Sequence, residues 1–112
     1  MKLPNGDLAV VEREKIVEYL LNPEHPDNAG KAPFFCSLGF CRDNWPSFAA
    51  ALRKLAETTE ISNSMECAHG QKYVLDGRMV TPSGKTAVVR TIWIVDRGLD
   101  RPRLVTAYPH ET

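Results

Sequence analysis

The second half of the chain is written in segments suited to a sheet. "QKYVLDGRMV", "KTAVVRTIWIVD" and "RLVTAY" are rich in β-branched and aromatic residues, which fit a pleated, half-buried surface. "TPSG" at 81–84 separates the first two and suits a hairpin loop, and "RGLDRP" at 97–102 separates the second from the third. "EISNSMEC" supplies one more strand. Short connections between consecutive strands predict an antiparallel meander of three to four strands.

The first half has a different period. In "VEREKIVEYLL", Val11 to Leu21, the apolar Ile16, Val17, Leu20 and Leu21 share a face while Glu12, Arg13 and Lys15 meet water. Pro23 and Pro26 end this helix, because proline lacks a donor and disfavours helical geometry in the residue before it. Ahead of it, "LPNG" reads as a turn and "LAVV" as a short first strand. The stretch "NPEHPDNAGKAPFF" at 22–35 reads as a rigid inter-helix loop, followed by "FFCSLGFCRD", an apolar segment packed across the core. Asp43 or Asn44 then caps a second helix with Pro46 in its first turn. Trp45, Phe48, Leu52, Leu55 and Ala56 make its buried stripe, and it ends near Thr58. The expected fold is α+β, two N-terminal helices packed on a three- to four-stranded antiparallel meander, in a single domain over 1–112.

Charge limits the partners. Fourteen basic residues balance fourteen acidic ones, which argues against non-specific nucleic-acid binding and leaves room for a local basic cleft. The first twenty residues carry no apolar run of signal-peptide length, and no stretch of about eighteen apolar residues exists, so no membrane association is expected. Three cysteines without a secretion signal point to reduced thiols in a cytoplasmic setting.

Alternation along "TAVVRTIWIV" puts Thr86, Val88, Arg90, Ile92 and Ile94 on one face, with apolar residues on both, so this strand is central and Arg90 is its odd member. A guanidinium there snorkels to the rim, forms a structural ion pair with Asp76 or Glu66, or lines a cleft for an anion. On the last strand Leu104, Thr106 and Tyr108 are expected to share a face. His25 is either an ordinary loop histidine or a proton-transfer group, held between two prolines with Lys31 six positions on. His25, Lys31, Arg90, Thr106 and Tyr108 together would suffice to cleave a phosphodiester without a metal. Histidine or tyrosine would move protons, and lysine and arginine would stabilise charge building on the phosphoryl oxygens.

Cys36, Cys41, Cys67 and His69 make a loose zinc set, but free cysteine in an apolar segment behaves as a small hydrophobe. No HExxH helix, phosphate-binding glycine loop, aspartate cluster or nucleophile elbow is present, so no metal or cofactor is expected.

"LNPEHP…GKAPFF", "PSGK", "VRTIWIV" and "PRLVTAY" resemble a family of small bacterial proteins carrying an uncharacterised domain, across almost the whole chain. The order of helices before an antiparallel sheet, with an early histidine and Arg, Thr and Tyr on late strands, is similar to the barnase/EndoU/colicin/RelE-type ribonuclease superfamily, which includes bacterial toxins. That resemblance implies a metal-independent endoribonuclease acting on RNA, with a cognate antitoxin-like protein as partner. His25 would be its acid or base, Lys31 its electrostatic partner and Arg90 its phosphate holder, with Thr106 and Tyr108 beside them. His69 precedes a strand and His110 lies in the C-terminal tail, so neither matches a second histidine of that pattern. The competing readings are a non-catalytic binding module and an antitoxin or immunity-like protein. The oligomeric state is open, with the edge strand near 61–67 able to pair with a second copy.

Overall fold

The computed structural model describes residues 1–110. Helical segments come first and four strands follow. Helix α1 is a short turn, Arg13–Lys15, that widens into a π turn over Ile16–Leu20, closed by the Leu21 amide donating to Ile16 O at 2.8 Å. Helix α2 spans Lys31–Ser37 and α3 spans Trp45–Thr58, entered through a single 3-10 turn at Arg42–Asn44. Strands β1 (Ile61–Cys67), β2 (Gly70–Val80), β3 (Thr86–Asp96) and β4 (Pro102–Pro109) form one antiparallel sheet in the order β1-β2-β3-β4. The α+β class and the meander are as the sequence predicts, and β3 is an inner strand.

The helical half is richer than expected. Helix α2 begins inside the proline-rich loop, and Pro33 is tolerated there because it falls in the first turn, where an amide hydrogen has no partner to lose. Gly30 supplies the left-handed residue before it, at φ 84°. The "LAVV" segment forms no strand: Val10 alone bridges β4, its amide donating to Pro102 O at 2.8 Å and its carbonyl accepting from Leu104 at 3.0 Å.

The core lies between α3, the π turn, α2 and one sheet face. Ile16, Leu20, Phe35, Phe48 and Leu52 meet Leu75, Val89, Trp93, Leu104 and Ala107 there. A Cβ on Gly77 would stand 2.6 Å from Thr59 Oγ1 and 3.0 Å from Leu55 Cδ2, so glycine is what lets α3 lie close on β2. Trp45 belongs at the margin and not in the buried stripe: it is half-buried, with the Arg13 guanidinium 5.9 Å from its ring centroid.

Candidate functional site

A bulge in β4 decides which side chains meet. Ile92 pairs with Thr106 but Trp93 pairs with Leu104, so Val105 is the extra residue. Directly opposed residues share a face. Leu104 therefore joins Trp93 against the helices, while Thr106 and Tyr108 fall with Ile92 and Arg90 on the other face. The expectation that Leu104 shares a face with Thr106 and Tyr108 holds only for the last two.

On that face, away from the core, Asp76, Arg90 and Tyr108 are neighbours across three strands. Arg90 Nε donates to Asp76 Oδ1 at 2.7 Å and Arg90 Nη2 to Asp76 Oδ2 at 2.9 Å, a bidentate pair that fixes the guanidinium plane. The Ser62 hydroxyl donates to Asp76 Oδ2 at 3.1 Å. His110 is anchored here too, its amide donating to Val88 O at 3.0 Å and its Nε2 lying 3.7 Å from Asp76 Oδ2. Sequence reasoning set His110 aside as tail, because nothing local signals that the β4 ladder carries the chain to Val88.

The remaining predicted residues gather around Tyr19, which the sequence showed only as one position on a helix. Its hydroxyl shares a 2.8 Å hydrogen bond with Thr106 Oγ1. His25 packs edge-on against its ring, centroids 4.9 Å apart, and both Lys15 Nζ and Lys31 Nζ lie 5.4 Å from its centroid. The Asp27 amide donates to His25 Nδ1 at 3.0 Å, so the neutral imidazole carries its proton on Nε2. Lys31 Nζ donates to Asp27 O at 3.1 Å. Thr106 therefore stands between two groups: Tyr19, His25 and Lys31 on one side, and Tyr108, Arg90, Asp76 and His110 on the other.

Beside Tyr19 opens a cleft of about 790 Å³ that includes His25 and Thr106. Its charged lining is Glu12, Glu14, Glu18 and Asp27 against Lys15 and Arg103. The balance is acidic, so the cleft itself repels phosphate. Among the described residues, no three metal-ligating side chains gather, and no helix is long and apolar enough to cross a membrane.

The Asp76 carboxyl is held below the usual carboxylate range, chiefly by its hydrogen bonds from Arg90, with burial opposing and Ser62 assisting. Arg90 is raised in turn, first by Asp76 and then by Tyr108. Asp96, bonded by Arg103 Nε at 2.6 Å, is lowered in the same way. A depressed carboxylate pKa means the unfolded chain binds more protons in acid. The stability these pairs contribute is thus present above the unfolded value of about 3.9 and lost as pH falls through the folded value. Urea denaturation across pH 3–7 should show stability falling in acid, with a shallower fall in Asp76→Asn and a residual slope from Asp96. An unchanged slope in that variant would remove Asp76 as a contributor.

Residues 2–111 match the model of a domain of unknown function, DUF6883. The chain belongs to this family. No curated protein matches this DUF6883 chain in sequence. Among solved structures, it is similar to a chain of a contact-dependent growth inhibition toxin–immunity protein complex from Klebsiella pneumoniae 342. The TM-score is 0.75 at 17% identity, over 90% of this chain and 99% of that one. At that identity the likeness is one of fold.

Proposed function

We propose that this DUF6883 domain is a metal-independent endoribonuclease of the toxin type, working on the sheet face that carries Arg90. The observation that supports it is the bidentate Asp76–Arg90 pair with Tyr108 and His110 beside it. Asp76 holds Nε and Nη2, so the guanidinium would meet a phosphoryl oxygen in a fixed direction. Cleavage needs a base to take the ribose 2′-hydroxyl proton as that oxygen attacks phosphorus, and an acid to protonate the departing 5′-oxygen. In this reading His110 and Tyr108 make these proton transfers, and Arg90 stabilises the charge on the equatorial oxygens. Thr106 connects this group to Tyr19, with His25 and Lys31 at the flank of the strand. The fold shared with a chain of a toxin–immunity complex agrees with a toxin role, and equally with an immunity role, and with a cognate protein as partner.

A second reading, a non-catalytic binding or immunity-like module, draws on the acidic cleft and on Asp76 neutralising Arg90. One assay separates the two. Purified protein is incubated with total RNA and tRNA in EDTA, beside Arg90→Ala, His110→Ala and His25→Ala. The enzyme reading expects cleavage that survives chelation and falls by about tenfold or more in Arg90→Ala and in His110→Ala. Loss in His25→Ala with His110→Ala unaffected would move the proton transfer to the Tyr19 side. No cleavage by folded wild type would leave the binding module.

A further inference from the structure

The end of α2 brings two cysteines together. The Phe40 amide donates to Phe35 O at 3.0 Å and the Gly39 amide to Cys36 O at 2.9 Å, with Gly39 at φ 99°. This is a Schellman ending, in which a left-handed glycine lets the chain turn back over the last helical turn. Its apolar partners Phe35 and Phe40 are both buried, and each ring packs on Phe48 at centroid distances of 4.6 and 4.8 Å. The next residue after Phe40 is Cys41, and the reversal returns it to Cys36. Their sulfurs lie 3.4 Å apart.

The approach is held from both sides. The Cys41 amide donates to Asn44 Oδ1 at 2.7 Å, and Asn44 Nδ2 donates to Gly39 O at 2.9 Å. Both thiols are free and exposed, at the rim of a mostly apolar groove of about 370 Å³. Neither belongs to the residues around Arg90 or Tyr19.

We propose that Cys36 and Cys41 are a reversible dithiol–disulfide pair, oxidised by exchange with a low-molecular-weight disulfide. One thiolate attacks a sulfur of the oxidant, forming a mixed disulfide and releasing one small thiolate, which takes up a proton. The second cysteine loses its proton to water and attacks the protein sulfur of that mixed disulfide, releasing the second small thiol. Two cysteine thiols are oxidised and one small disulfide is reduced to two thiols. The sulfurs close to the usual bond length of about 2.05 Å by side-chain movement, with the backbone already turned. The Cys41 thiol is pushed up from its ordinary value, chiefly by its hydrogen bond with Cys36, so the attacking thiolate forms as that bond is given up. A ring closed over so few residues removes little chain entropy from the unfolded state, which suits a switch better than a permanent staple.

The test counts thiols. The full chain is equilibrated in graded mixtures of reduced and oxidised glutathione, quenched in acid, alkylated with a maleimide and weighed by mass spectrometry. Wild type should lose two of its three free thiols together, as a monomer, and regain both with excess dithiothreitol. Cys67→Ser should behave alike, losing both remaining thiols, while Cys36→Ser and Cys41→Ser should form no internal link. Glutathione adducts without an internal link, or linked dimers as the first oxidised species, would overturn the proposal. So would an internal link that involves Cys67.

Discussion

Trp93→Ala is expected to cost about 3–5 kcal/mol of folding stability, the range for deleting a fully buried large aromatic. Trp93 is wholly buried on an inner strand, opposite Tyr73 on β2 and Leu104 on β4. Its indole N–H donates to Thr91 Oγ1 at 2.8 Å, and Thr91 is itself buried, so truncation leaves both a cavity and a hydroxyl without that partner. Trp93→Phe keeps most of the volume and removes only the donor, so its loss should be clearly smaller. Trp45→Ala should also cost less than Trp93→Ala, because Trp45 is half-exposed under the Arg13 guanidinium. Urea denaturation measures all three. A loss under about 1 kcal/mol for Trp93→Ala would mean the sheet does not pack on the helices as described.

Asn28→Ala should cost about 2–4 kcal/mol, more than any other change in the loop at 22–30. Its side chain is 2% exposed and makes three bonds at once. Nδ2 donates to Tyr19 O at 2.6 Å and to Leu20 O at 3.2 Å, two carbonyls at the end of the π turn. Oδ1 accepts from the Ala32 amide at 2.9 Å, in the first turn of α2. One amide thus ends one helix and starts the next, satisfying groups that a helix terminus leaves open. Alanine would leave the buried Leu20 carbonyl and Ala32 amide without this partner, while the part-buried Tyr19 carbonyl keeps its bond from the Asn22 amide at 3.2 Å. Asn28→Asp should be no better, since a carboxylate oxygen would then face two carbonyl oxygens. His25→Ala is the contrast: the imidazole is half-buried with one ring contact and one amide bond near the surface, so its loss should stay within about 1 kcal/mol. Equal losses in the Asn28 and His25 variants would mean that Asn28 is not the clamp of this loop.

The proline-rich stretch shows how far local rules reach. Pro23 and Pro26 end the first helix because proline acts on its own backbone and the residue before it. Local rules did not reveal that α2 starts at Lys31, since its start depends on Asn28 bonding four residues ahead and on Phe35 finding the core. The same limit hid Tyr19. Its position on a helix was legible, but its bond to Thr106 spans 87 positions of sequence. Arg90 was legible as the odd residue of an apolar strand, with Asp76 named as one of two partners, because the hairpin at 81–84 sets that register locally. Leu104 and Thr106 were placed on one face because strict alternation has no term for the bulge at Val105.

The class, the strand order and the inner position of β3 were thus legible in the chain alone. These follow from side-chain period, turn chemistry and short connections, all of which act within a few residues of their cause. Long-range packing is what brings Thr106 and Tyr108 to the face of Arg90, His110 to Asp76, and His25 and Lys31 to Tyr19. Those meetings depend on a one-residue bulge, on a ladder that carries the tail along β3, and on how the π turn seats against the edge of the sheet. Each is settled by packing between segments far apart in the chain, where one residue of register reverses the face a side chain occupies.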